Sequence, residues 1–256
     1  MRFKTDAIVI RRAPFSESSQ VVHLLTAREG LVAALARGAY RSKSAFGGAI
    51  DLVTRGRADL GRRKSTELDV LHEFKIQNPY RGVRRDSVRW LAACYVIELI
   101  RLFSWQRDRE TRFFPLLGAV LDALNAVEDT ADSAQVDALL AFYASRLLAG
   151  AGLGPMLDAC VVCGTTSLRG PVRFSPARGG VICRGCVGDR TARHCSEASL
   201  ALHRRLAKGA GPAADRGIPP ASLSETREHL DACIEYRLER PLQAASLLQS
   251  ECASLR

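Results

Sequence analysis

The sequence predicts an α+β multidomain chain. A small β-barrel is expected over residues 1–80, followed by an all-α body over 81–256 that is interrupted at 156–190 by a four-cysteine zinc module. Three observations predict this order. Short apolar runs with glycine-led turns fill the first 80 residues, helical periodicity takes over from about Val83, and two C-x2-C pairs break the helical part.

The strands come first. "DAIVIRR" is a short strand. "SQVVHLLTA" and "GLVAALA" are joined by "REG", whose Gly30 can supply a positive φ, so the pair reads as a hairpin. "IDLVTRGRADL" and "STELDVLHEFKI" follow across the charged turn "GRRKS". Five strands at short spacing, with no long helical pattern between them, suggest a small barrel, and "NPY" at 78–80 ends it.

The helices follow. In "VRRDSVRWLAACYVIELIRLFSW", Trp90, Cys94, Ile97 and Arg101 share a stripe that Leu91, Val96 and Ile100 widen. "RFFPLLGAVLDALNAV" is a second helix with Pro115 in its first turn, and "DSAQVDALLAFYASRLLAGAGLGP" holds a third, Asp132 and Gln135 having capping-box spacing and Gly150, Gly152, Gly154 and Pro155 stopping it. "CSEASLALHRRLAKG" is a fourth. The fifth begins at Ser222, with capping-box spacing to Glu225, and is broken or kinked at Pro241.

Apolar residues make up 47% of the 256, enough for real cores. No run approaches a membrane span, and the N-terminus has too short an apolar stretch for a signal peptide, so a cytoplasmic location is expected. The net charge of +10 is lopsided: residues 1–90 carry 18 Lys and Arg against 9 Asp and Glu, the remainder 19 against 18. Such a bias points to a polyanion partner or to a generic basic surface.

Three cations, with no acidic residue, sit in "RGAYRSKSAFGG", residues 37–48, between two apolar runs. It reads as a solvated turn, a phosphate cradle or a grip for a nucleic-acid backbone. A Walker loop requires G-x-x-x-x-G-K-[ST]; here, counting from Gly38, Lys43 comes one place early with no second glycine before it, which excludes nucleotide hydrolysis by this route. Arg37, Arg41 and Lys43 are candidate DNA contacts, and Arg11, Arg12, Arg55, Arg57, Arg62, Arg63, Lys64 and Lys75 extend the track. Tyr40 or Phe46 offers a stacking surface.

Cys160, Cys163, Cys183 and Cys186 form C-x2-C-x19-C-x2-C, the spacing of a zinc ribbon, with Gly164 and Gly185 suited to the two turns. Four thiolates leave no position open for water, so one structural Zn²⁺ is expected and no catalytic one. Two disulfides or a redox pair are the competing readings. His194 and Cys195 are a minor alternative ligand pair, while Cys94 and Cys233 read as packing.

Taken together, the opening "DAIVIRRAPFSESSQVVHLLTAREGLVAALARGAYRSKSAFGGAIDL", the strand "ELDVLHEFKI", the "CVVCG" and "GGVICRGC" pairs and "YRLERPLQAASLL" resemble the bacterial RecO family of recombination and repair mediators across essentially the whole chain. The resemblance implies an N-terminal OB-fold, a helical body with an inserted zinc module, and no catalytic residues. It implies binding of single- and double-stranded DNA, annealing of complementary strands and, with RecR, loading of RecA onto DNA coated by single-stranded DNA-binding protein. A pocket for the acidic tail of that protein is expected on the helical body, and a cytoplasmic, nucleoid-associated location follows. The helix usual in the family between the third and fourth barrel strands has no counterpart in "SKSAFGGA". An RNA-binding or transcription-associated zinc-ribbon protein, or a protein-only adaptor, are the alternatives.

Overall fold

The computed structural model describes residues 1–41, 44–46, 50–62, 68–104, 112–127, 133–186, 189–209, 211 and 217–254. The chain divides into two compact units: Met1–Asp86 with Leu99–Ala126, and Ser87–Glu98 with Val127–Arg256.

In the first unit, alternating apolar residues build β1 (Arg2–Pro14), β2 (Gln20–Thr26), β3 (Gly30–Ala36), β4 (Arg55–Gly61) and β5 (Asp69–Asn78). They close into a barrel in the order β1-β2-β3-β5-β4. All pairings are antiparallel except β3 with β5, and β4 returns to β1 along seven residue pairs from Arg2 opposite Gly61 to Ile8 opposite Arg55. The β2–β3 turn uses Gly30 at φ 62°, and the Thr26 hydroxyl accepts from Glu29 N at 3.0 Å and donates to Gly30 O at 2.9 Å.

A five-stranded barrel has little interior, and its filling is correspondingly small. Ala7, Ala34, Ala36 and Ala58 alternate with Val9, Val22, Leu24, Leu60, Leu71 and Phe74. Gly56 lets β4 and β5 approach: a Cβ there would stand 2.5 Å from Lys75 O. Register shifts at Val9/Arg11 on β1 and at two points between β4 and β5 add the local bends that closure needs. β1 is buried on both faces, which explains its unbroken "AIVI": Ile8 lies beside Gly118. That glycine belongs to α2 (Phe113–Ala126), the second helix after α1 (Ser87–Phe103). A single 3-10 turn, Gly82–Arg84, precedes α1, so the helix starts four residues later than its periodicity suggests.

The second unit holds residues 87–98 of α1, then α3 (Ser133–Gly150), α4 (Glu197–Ala207), α5 (Pro220–Leu238) and α6 (Gln243–Ser254). Pro241 separates α5 from α6 outright, and Glu239 turns the chain at φ 51°. The capping box expected at Ser222 is not used: α5 starts with Pro220, whose missing N–H costs nothing there, so Ser222 is already inside the helix. Glu225 instead accepts from Ser196 N at 2.9 Å and from the Ser196 hydroxyl, bracing the residue that caps α4. Asp132 of the other expected box lies outside the described residues. No described helix is long and apolar enough to cross a membrane.

Between α3 and α4 a three-stranded antiparallel sheet is inserted, in the order β7-β6-β8, with β6 Val172–Ser175, β7 Gly180–Ile182 and β8 Arg193–Cys195. Its Val172, Phe174 and Val181 pack with Leu200 of α4 and Cys233 of α5, so the inserted sheet shares a core with the helices.

Phe174 stacks on two buried imidazoles, His203 at 5.0 Å and His229 at 4.7 Å. His229 Nε2 lies 2.8 Å from His194 O, which can only accept, so Nε2 donates and Nδ1 is left to accept from His203 Nε2 at 3.3 Å. In this arrangement His229 is neutral. Burial, aided by His229, brings His203 down to about 3, and burial also lowers His229. Unfolded histidines, titrating near ~6.5, take up protons first, so this contribution to stability is complete above about pH 6.5 and declines as pH falls toward 3. Urea midpoints at pH 7.5 and 5.0 should show wild type losing about 1–2 kcal/mol more than His203→Gln over that interval; parallel losses would contradict it.

Candidate nucleic-acid interface and metal centre

The basic loop leaves the barrel where β3 ends. Its first turn is tied to the β1–β2 turn: Tyr40 N donates to Ser18 O at 3.1 Å, and Gly38 N to the Ser19 hydroxyl at 3.2 Å. Gly38 takes φ 69°, and Arg41 N closes the turn onto Gly38 O at 3.1 Å. Arg37 and Arg41 are both exposed and, among the described residues, neither is ion-paired. Phe46, 6% exposed, belongs to the barrel core, whereas Tyr40 is 40% exposed. Of the two loop aromatics, only Tyr40 keeps its ring accessible. No helix occurs between β3 and β4 among the described residues.

Arg11 is likewise exposed and not ion-paired among the described residues, whereas the other described cations of the track are engaged. Arg12 lies 3.1 Å from Asp51, which also holds Arg84 at 3.1 Å, and Arg57 lies 3.1 Å from Asp6. Arg62 bonds Glu29 at 2.8 Å, approaches Asp69 and covers the Phe3 ring at 5.1 Å, so it is fastened across the barrel end. Arg55 lies 3.8 Å from Asp122, and Lys75 lies 3.6 Å from Glu73. Lys43, Arg63 and Lys64 lie outside the described residues. Most of these acidic partners are remote in sequence, so counting charges does not reveal which cations are already neutralised. Phe15, Ser16, Ser18 and Ser19 of the β1–β2 turn, with Arg37 and Arg41, line one hollow, a grouping the sequence reading missed.

The four cysteines converge in the inserted module, with their sulfurs all within 4.8 Å of one another. Tetrahedral zinc with Zn–S bonds of about 2.3 Å has S···S edges of about 3.8 Å, and Cys163 Sγ to Cys183 Sγ measures 3.8 Å. All eight cysteines are free thiols, so the disulfide reading is set aside. The first turn uses Gly164 at φ 74°, with Gly164 N on Cys160 O at 2.9 Å; the second closes through Cys186 N on Cys183 O at 3.1 Å, and Gly185 needs no positive φ.

Burial opposes ionisation of the Cys160 thiol, but backbone N–H groups of Cys183, Cys163 and Val162 outweigh it and bring the group down to about 6. Cys186, hydrogen-bonded to Cys163 and Cys183, is pushed up to about 12. A cation at the centre of the four sulfurs relieves that opposition, and the donor set suits a soft tetrahedral metal. Arg173 supports the second turn by donating to Cys186 O at 2.6 Å. His194 and Cys195 are not part of the cluster: Cys195 is buried in the module's core, and His194 Nδ1 faces Glu225 at 3.2 Å. Cys233 packs in that core too.

A closed barrel whose β3–β4 loop carries two exposed arginines, and a helical unit with an inserted four-cysteine cluster able to hold a metal ion, define a two-unit protein with no membrane-spanning helix among its described residues. Comparison with known proteins makes this specific. The descriptions "Recombination protein O N terminal" and "Recombination protein O C terminal" match residues 1–80 and 84–245. A DNA repair protein RecO of Anaeromyxobacter sp. (strain K) is 37% identical over 249 residues, 96% of each chain. Those of Symbiobacterium thermophilum and Roseiflexus sp. (strain RS-1) are 34% and 31% identical, covering 97% and 99% of this chain and 97% and 87% of theirs. The chain belongs to the RecO family of DNA repair and recombination proteins.

Proposed function

We propose that the protein is a DNA-recombination mediator that binds single- and double-stranded DNA and anneals complementary strands. With RecR it promotes loading of RecA onto DNA coated by single-stranded DNA-binding protein. The observation that carries the DNA contact is the pair Arg37 and Arg41, exposed, unpaired among the described residues and held on a fixed turn. Lys43 belongs to the same loop and joins them in this reading. The strand order, with β3 parallel to β5, supports assigning residues 1–80 as an OB-fold, whose rim loops and open face suit nucleic acid. Residues 81–256 form the partner-binding body, and the protein works in the cytoplasm at the nucleoid.

The mechanism is electrostatic. Two phosphate backbones repel each other, and cations that neutralise both let complementary bases meet. Arg12, Arg57, Arg62, Arg63 and Lys64 extend the grip, the ion-paired ones by exchanging a carboxylate for a phosphate. No residue is assigned a catalytic role. Cys160, Cys163, Cys183 and Cys186 hold one Zn²⁺, which supplies cross-linking of two turns and no reactive position.

The triple variant Arg37→Ala, Arg41→Ala, Lys43→Ala tests the reading. Each lost phosphate contact should reduce the log–log salt slope by about 0.9 on duplex and about 0.7 on single strands. A folded variant with unchanged affinity and slope would favour the adaptor. Wild-type protein that prefers RNA in competition and fails to anneal DNA would favour the RNA-binding alternative.

A further inference from the structure

The hollow at the barrel rim holds more than cations. It measures about 350 Å³, at the small end of ligand sites, and is lined by the Ser16, Ser18 and Ser19 turn, Leu35, Arg37, Arg41 and Phe15. Phe15 is 60% exposed, the most exposed aromatic among the described residues. A lone exposed ring is ordinary. What distinguishes this one is its setting. Phe15 N is anchored on Ser19 O at 2.9 Å, and the same turn is bonded to Gly38 and Tyr40 of the basic loop. Among the described residues no guanidinium lies over its face, although Arg55, Arg62 and Arg146 each cover another phenylalanine. A bare ring, two unpaired guanidiniums and serine hydroxyls thus border one nucleotide-sized space.

We propose that this hollow is a single-nucleotide subsite in which an unpaired base stacks on Phe15 while Arg37 and Arg41 hold its phosphate. The inference rests on the DNA-binding reading above and deepens it. Base faces inside a duplex are covered by their neighbours, and exposing one costs unstacking. The ring therefore senses single-stranded DNA alone, whereas the arginines serve both forms. Strand discrimination then resides in the β1–β2 turn and backbone grip in the β3–β4 loop.

The test compares full-length wild type, Phe15→Ala, Phe15→Trp and Arg37→Ala/Arg41→Ala in binding oligo(dT) and a blunt duplex of equal length across a salt series. Phe15→Ala should bind oligo(dT) roughly 5- to 150-fold more weakly, with duplex affinity and salt slope unchanged, and Phe15→Trp should restore binding. Phe15 lies outside the barrel core, so melting temperatures should match and serve as the folding control. If Phe15→Ala binds both forms as wild type does, or loses both equally, while the arginine variant loses both, this subsite is wrong and the DNA-binding reading stands. If the arginine variant also binds both as wild type does, the assignment of the DNA contact to Arg37 and Arg41 fails and the subsite with it, whereas wild type that binds neither form overturns the DNA-binding reading itself.

Discussion

Cys160→Ser is expected to unfold the inserted module and loosen the helices beneath it. Structural zinc sites in small modules contribute about 10–16 kcal/mol of apparent binding free energy, while whole domains are stable by only about 5–15 kcal/mol. β6, β7 and β8 are too short to hold themselves, and their apolar face is shared with Leu200 of α4 and Cys233 of α5. Losing the metal therefore exposes part of the helical core as well as the module. Cys160 is the most damaging position to change, because it is buried and its sulfur accepts from Val162 N and Cys183 N at 3.5 and 3.4 Å; Cys163 is exposed and should be milder. Cys183→Ser should also disturb the module more than DNA contact, though less than Cys160→Ser, since Cys183 is only half-buried. Thermal melts, proteolysis and metal analysis would show this, and chelation of wild type should reproduce it. DNA affinity should change far less than melting, since the proposed contacts belong to the barrel unit. Equal melting with and without one bound metal per chain would refute the expectation.

Arg227→Met is expected to cost about 3–5 kcal/mol. Arg227 on α5 is buried and bonds Asp137 of α3 at 2.7 Å and Asp231 at 2.9 Å, while Tyr95 of α1 donates its hydroxyl to Asp231. Burial works against the guanidinium charge, but Asp231 and Asp137 outweigh it and raise its pKa above the usual range. Burial also pushes the Asp231 carboxyl up to about 6, against the pull of Arg227. Removing the cation takes from two buried carboxylates the charge and hydrogen bonds of Arg227, and that desolvated loss sets the cost. Urea unfolding at pH 7.5 measures the cost; a change under about 1 kcal/mol would show that solvent reaches the site. Arg227→Lys should recover little, because one ammonium cannot reproduce the forked contacts to two carboxylates.

The barrel strands and the thiol cluster were legible because their signals are local. Gly30 and the alternating runs fix a hairpin within a dozen residues, and paired C-x2-C turns admit few arrangements. β8 was not legible: Arg193–Cys195 is three residues with no period of its own, held by pairing to β6. Ser222 and Glu225 matched a local pattern, but the tertiary partner Ser196 took the glutamate. The choice between Tyr40 and Phe46 depended on which ring the closed barrel had room for. Arg62 read as a surface cation until Glu29, Asp69 and Phe3 were brought beside it. Phe15 carried no sequence signal, because its interest lies in what it leaves uncovered.

The parallel pairing of β3 with β5 also sets an order of events in the newborn chain. The first three strands can assemble as soon as they emerge, but Ala34, Leu35 and Ala36 must wait for Asp69, Val70 and Leu71 to be synthesised. Until then "GLVAALA" is an open apolar edge without a charge, the kind of strand that pairs with whatever edge it meets. Such distant pairings form slowly, because the intervening chain must first be confined. The barrel is thus most vulnerable to self-association during its own synthesis, in the interval after β3 appears and before β5 covers it.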